Sequence, residues 1–222
     1  MSAFRAILAK DLRVELRTLQ SLPAMVLFAV TTFVIFRFGL DRTTLEGSLA
    51  AGVLLVTVLF AALLAINRLF VPERDEGGFD AIRLAPVDAS ALFWAKVVAL
   101  AVYLLALEVI ALPVFAVFFL DEWSGLVPLA GVLLLANVGL GATGAVVSTI
   151  GANSRARDLL TPLVLLPLLV PLVIAAAGAA EPLLAAGGPQ YDGVGKWVAA
   201  LALYDLTFLL VGYAVYDFLV ED

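Results

Sequence analysis

Charged positions divide the chain into long apolar runs joined by short polar stretches. Thr18 to Phe36, Gly47 to Asn67, Trp123 to Ser154 and Leu159 to Ala180 contain no charged residue. Lys96 and Asp121 bracket a run interrupted only by Glu108, and Lys196 and Asp217 bracket one interrupted only by Asp205. Each run is near the roughly 20 residues that a helix needs to cross a hydrocarbon core about 30 Å thick. The Trp123 to Ser154 run is too short for two full helices and a turn, so it counts once. The pattern predicts an all-α membrane protein with six transmembrane helices in one domain, over residues 18–38, 47–67, 97–120, 125–150, 159–180 and 197–217. The first is expected to be a retained span rather than a cleaved leader, because no small-residue cleavage site ends it.

Two stretches outside the spans carry pattern of their own. Phe4, Ile7, Leu8, Leu12, Leu16 and Leu19 recur at helical spacing, with Arg5, Lys10, Asp11, Arg13, Glu15 and Arg17 mostly on the other side. Residues 1–17 therefore predict an amphipathic helix lying in the membrane interface, its basic residues towards anionic lipid headgroups. A plain extension of the first span is the alternative. Residues 68–96 form the only sizeable hydrophilic stretch, RLFVPERDEGGFDAIRLAPVDASALFWAK. Pro72, Gly77-Gly78 and Pro86 punctuate it, and Asp88 is placed to cap the third span. A short helix with Phe79, Ile82 and Leu84 inward fits between the breaks. A mere solvated turn needs far fewer residues, and loops this long are often functional. The segment is expected to dock a cytoplasmic partner.

Composition removes the soluble alternatives. Hydrophobic residues make up 64% of the 222, and charged residues only 14%. Soluble domains are roughly 45–50% apolar and about 25% charged. Without Cys there is no disulfide, iron–sulfur cluster or thiol nucleophile, and without His no Ser-His-Asp triad, few zinc sites and no His ligand to haem. The net charge is −6, yet the 13 basic residues are unevenly placed. Ten lie before the first span or in the second-to-third and fourth-to-fifth connections, and three (Arg37, Arg42 and Lys196) on the opposite side. By the positive-inside rule both termini are expected in the cytoplasm of a multi-pass cell-membrane protein. Nothing in the pattern calls for nucleic acid as a partner.

Two nucleotide motifs can be judged on context. VGLGATG contains Gly139, Gly141 and Gly144 at G-x-G-x-x-G spacing, but inside a span with no preceding strand. The small pairs Gly139/Thr143 and Gly144/Ser148 fit close helix packing instead. The lysines are Lys10, Lys96 and Lys196, and none completes a P-loop. If the protein works with ATP, another chain must hydrolyse it.

Polar and kinking residues at membrane depth supply further candidates. An ionised carboxylate in hydrocarbon is costly, so Glu108 and Asp205 are expected to face the bundle interior. No Lys, Arg or His lies at depth within the predicted spans to neutralise them, Arg37 standing at the very end of the first. Either they mark a substrate path or proton-linked switch, or they join helices through hydrogen bonds. Pro162, Pro167 and Pro171 fall in the fifth span, each removing one backbone hydrogen bond. A hinge and a fixed bend both satisfy them.

KDLRVELR before the first span, LLAINRLFVPERDEGGFDAIRLAPVDASALFWAK between the second and third, and NSRARDLLTPLVLLPLLVPLVIAAAGAA through the fifth resemble the haem exporter protein B (CcmB) family. These proteins are permease subunits of the cytochrome c maturation ABC transporter. The resemblance covers nearly the whole chain and is most specific in the loop: Leu-x-x-x-Arg-x-Phe, an acidic stretch with Gly, Leu-x-Pro, then a Lys opening the third span. It implies an ABC-2-type permease, present as two copies, paired with a separate ATP-binding cassette subunit. It also implies a haem-handling membrane subunit and a periplasmic haem chaperone, with ATP and haem held by partners and no cofactor or metal on this chain. Arg68, Glu73, Arg74, Asp75, Gly77, Arg83 and Pro86 are then the expected ATPase-coupling residues. Export of another substrate, such as a lipid-linked glycan or drug, and proton-coupled secondary transport through Glu108 and Asp205 are the competing readings.

Overall fold

The computed structural model describes residues 3–40, 44–70, 88–152 and 157–221, and these contain seven helices and no strand. They are α1 (Ala3–Thr18), α2 (Leu22–Gly39), α3 (Gly47–Arg68), α4 (Ala89–Phe119), α5 (Leu126–Ala152), α6 (Arg157–Leu183) and α7 (Val194–Glu221). Six of them, α2 to α7, are long and apolar enough to cross a membrane. The sequence places α1 as a separate helix before the first span, and so it is. α1 closes on Leu19, whose φ of 47° is the left-handed conformation that usually selects glycine at a helix end. The reversal is held by Glu15, whose Oε1 accepts the backbone N–H groups of Ser21 and Leu22 at 2.9 and 2.8 Å. A side chain from α1 thereby satisfies two of the donors that the start of α2 leaves open.

Boundaries differ most at α4. The charge pattern starts the third span at residue 97, whereas the helix begins at Ala89 and runs for 31 residues. Lys96 lies two turns inside it, fully buried. A charge marks the edge of a span only while it faces water, and Lys96 is compensated inside the protein. Asp88 occupies the N-cap position as expected, but its side chain makes no capping bond; its carbonyl accepts from Ala91 and Leu92. Of the 68–96 segment, residues 89–96 are thus helical and 71–87 lie outside the described residues.

The spans alternate in direction, and α5 occupies the middle. It packs against α3, α4, α6 and α7, while α2 covers α3 and α4 from outside. Glycines allow this crowding. A Cβ at Gly139 would overlap Asp205 and Leu172, one at Gly141 would lie 3.0 Å from the Val97 carbonyl oxygen, and one at Gly144 would lie 2.8 Å from Ile66. The G-x-G-x-x-G spacing therefore presents three bare positions to three sides, towards α6 and α7, α4, and α3. That is helix packing, as the membrane context of the motif indicates. At the end remote from α1, Leu45 N–H bonds the Phe119 carbonyl at 2.9 Å and Gly47 N–H the Leu184 carbonyl at 2.7 Å. The start of α3 thus satisfies carbonyls that close α4 and α6.

α6 runs unbroken through Pro162, Pro167, Pro171 and Pro182, and α4 contains Pro113. Each proline leaves a carbonyl without its helical donor. The Tyr204 hydroxyl of α7 reaches the Leu168 carbonyl at 3.1 Å, just before Pro171. The carbonyl that Pro171 orphans is that of Pro167, so the neighbouring helix supplies its donor to the next carbonyl along.

Candidate functional site

Two polar constellations lie within the helices. The first is at the end that carries α1. Lys96 Nζ is 2.9 Å from Asp11 Oδ2, donates to the Leu69 carbonyl at 3.1 Å, and stands 4.7 Å over the Phe70 ring. The lysine stem leans towards the start of its own helix, the direction in which helical side chains tilt. That brings its ammonium to the carbonyl end of α3, where the helix dipole favours a cation. Asp11 is the buried residue of α1. It shares one helical face with Phe4, Ile7 and Leu8, although its charge suggests the opposite face. Its backbone carbonyl also accepts from the Tyr103 hydroxyl at 3.2 Å. Lys96 and Tyr103 are seven residues apart on α4, so one stripe of α4 grips α1 twice.

Arg68 joins the same neighbourhood. Its Nη1 donates to the Gln20 carbonyl at 3.1 Å, tying the close of α3 to the α1–α2 turn. Of the seven loop residues singled out, Arg68 alone is described; Glu73, Arg74, Asp75, Gly77, Arg83 and Pro86 lie outside the described residues. Phe70, where the chain enters 71–87, stands against Lys96, and Asp88, where the chain leaves it, opens the helix that carries Lys96.

The second constellation surrounds α5 at mid-span. Glu108 is buried, and its Oε2 accepts from Asn137 Nδ2 at 3.0 Å. Asp205 is equally buried and lies over Gly139. Neither Asp205 oxygen accepts a hydrogen bond from the described residues, and neither does Glu108 Oε1. Asn137 and Gly139 are two positions apart on α5, so the two acids approach within about 3 Å of the same depth, from nearly opposite sides. One turn further, Thr143 and Tyr204 bond through their hydroxyls at 2.9 Å. Thr149 and Tyr216 repeat that α5–α7 pairing at 2.9 Å nearer the α1 end.

Both acids thus face the interior, as charge at membrane depth demands. A lysine does sit within a span, which the charge pattern alone did not anticipate, but it pairs with Asp11 and with neither deep acid. Asn137 and Tyr204 escaped the sequence analysis, and Thr143 entered it only as a small packing residue, because uncharged polar residues barely register against an apolar background. The i, i+3, i+7 relation of Phe4, Ile7 and Asp11 on the inward face was the one available signal for Asp11.

At the end remote from α1, a cleft of about 210 Å³ opens between the α2–α3, α4–α5 and α6–α7 connections, bordered by Glu46, Asp121 and Glu122. Met25, one of two methionines, is fully buried in α2.

Comparison with known proteins adds identity to this geometry. The CcmB protein family model matches residues 2–218. Heme exporter protein B of Paracoccus denitrificans is 31% identical over 207 residues, covering 91% of this chain and 93% of the relative. The protein of that name from Bradyrhizobium diazoefficiens is 26% identical over 215 residues, covering 96% and 94%. That from Rhodobacter capsulatus is 28% identical over 171 residues, covering 77% and 78%. With all six spans and their connections inside a single family match, the chain belongs to the CcmB family.

Proposed function

We propose that this chain is the permease subunit of an ABC exporter serving cytochrome c maturation, coupling ATP hydrolysis by a separate subunit to haem export or to release of a haem-loaded chaperone. The observation that carries the reading is the family match over residues 2–218, together with relatives named heme exporter protein B. The chain has no P-loop, so hydrolysis belongs to an ATP-binding cassette partner. The lack of His and the burial of Met25 support a reading in which a haem-handling membrane subunit and a periplasmic chaperone ligate the haem. The basic bias puts both termini and α1 on the cytoplasmic side. The cytoplasmic connection over 68–96, with Glu73, Arg74, Asp75, Gly77 and Arg83, then docks the ATPase, and Pro86 ends the docking segment. Large apolar side chains exposed on α2 (Leu27, Ile35, Phe38) and α7 (Leu203, Leu210, Phe218) face lipid or a second copy of the chain.

Affinity purification followed by an ATPase assay with and without this subunit tests the reading. An ATP-binding chain is expected to co-purify, and Arg74→Glu/Arg83→Glu to weaken its association and lower turnover. Unchanged association and turnover would refute the docking assignment. Deletion of the gene is expected to abolish c-type cytochromes; their persistence would point to another cargo.

A further inference from the structure

We propose that Lys96 is a positioning residue that fastens α1 to the stem of the 71–87 segment, so that α1, the close of α3 and the opening turns of α4 answer to the ATPase partner as one body. The last clause rests on the function proposed above; the fastening itself does not.

Lys96, Asp11 and Leu69–Phe70 are remote in sequence and meet only here. An ammonium with no exposed surface has lost its hydration, a loss of several kcal/mol that the Asp11 carboxylate, the Leu69 carbonyl and the Phe70 ring together offset. Buried ion pairs are rarely better than well-packed apolar side chains for stability alone. What they add is position. Apolar surfaces tolerate small sliding, whereas Asp11, whose other oxygen pairs with Lys10 at 3.1 Å, cannot leave Lys96 without stranding the buried ammonium. Tyr103 holds the same turn of α1, Glu15 locks α1 to α2, and Arg68 locks that turn to α3. The Asp11 tethers of α1 therefore end on α4, which receives the chain back from residues 71–87, and Arg68 links the α1–α2 turn to α3, which delivers it. Arg5, Lys10, Arg13 and Arg17 are exposed on the outer side of α1, where Lys10 also pairs with Asp11.

The chain contains no cysteine, so introduced ones are unique within it. Spin labels at Arg13→Cys and Ser90→Cys, attached to the full-length chain before assembly with its ATPase partner, read the α1–α4 distance. The distribution is expected to be narrow with the natural pair and with Asp11→Glu, and broad or two-peaked in Lys96→Met/Asp11→Leu. That double exchange removes both charges together and leaves no orphaned ion. ATP turnover in the double variant is expected to fall about fivefold or more while co-purification with the partner persists. A distribution as narrow as the natural one overturns the proposal whatever the turnover. A broad distribution with unchanged turnover overturns the positioning role, since fastening would then transmit nothing. If the double variant does not accumulate, Asp11→Asn takes its place, keeping the Leu69 bond and losing the ion pair, and is judged by the same two readings. Failure of the ATPase assignment shows separately, as absence of partner association in the natural chain, and the label width still decides the fastening.

Discussion

Asn137→Leu separates two meanings of the acid at mid-span. Asn137 Nδ2 donates to Glu108 Oε2 at 3.0 Å between α5 and α4, and Glu108 Oε1 accepts nothing from the described residues. Leucine shares the branched four-atom skeleton of asparagine, so no cavity forms, and the double exchange below shows how much of the loss comes from its bulkier methyl groups. Interhelical hydrogen bonds in membranes average about 0.6 kcal/mol and reach about 1.7. The bond here reaches a carboxyl whose other oxygen is already unmatched, and a buried polar group left wholly unsatisfied costs about 1–3 kcal/mol. Asn137→Leu is therefore expected to destabilise by about 1.5–3 kcal/mol. Glu108→Gln keeps an acceptor in place and should cost less than about 1 kcal/mol. Glu108→Leu/Asn137→Leu removes both groups and should lie near the natural stability, well above Asn137→Leu alone. Reversible unfolding of the purified protein from bicelles with increasing detergent denaturant measures all three, where 1.4 kcal/mol is about a tenfold change in the equilibrium. The reasoning is refuted if Glu108→Gln is the more damaging change, above all if it abolishes c-type cytochrome formation in a protein that still folds. The acidity of Glu108, rather than its hydrogen bond, would then be its operative property.

Glycines on α5 should respond to alanine in opposite directions. At Gly131 nothing lies within 4 Å of a new Cβ, so Gly131→Ala gains up to about 1 kcal/mol of helix propensity. At Gly141 the Cβ meets the Val97 backbone, and overpacking of about 1–3 kcal/mol outweighs the same gain. A thermal midpoint that rises equally for both would contradict the close α4–α5 approach. At the α1–α2 turn, Glu15→Ala should cost about 1–2 kcal/mol and speed hydrogen exchange at the Ser21 and Leu22 amides. Unaltered exchange there would mean that the carboxylate does not cap α2.

How far the chain could be read depended on whether its signal was carried by charge or by shape. Six spans follow from charge spacing because hydrocarbon excludes ions at a known thickness. The packing role of Gly139, Gly141 and Gly144 follows from small residues in an apolar run, where bare backbone is useful only for close approach. Which helix each glycine meets does not follow, since the 20-residue periodicity of spans says nothing about their arrangement in the bundle. The same limit hid Tyr204 and Asn137: their partners, Leu168 and Glu108, stand on other helices and at sequence distances that no local window covers.

The buried acids show where reading charge as a boundary breaks down. Glu108 and Asp205 stand out because each is alone in an apolar run. Asp11 does not, because Lys10, Arg13 and Glu15 surround it and make it look solvated. Its burial is decided by helical phase: it follows Ile7 by four positions and Phe4 by seven, on the face that α1 turns towards α4. Lys96 is disguised in the complementary way, standing where a span would be expected to begin. Two charges were thus assigned to water, one from its neighbours and one from its place at an apparent boundary, and each is buried because the other is. Had either been apolar, the remaining one would have been excluded from its present site by its own desolvation. The pair is therefore most cleanly lost together, which is why the double exchange comes first at this end of the molecule and Asp11→Asn, which leaves the buried ammonium with neutral partners only, comes second.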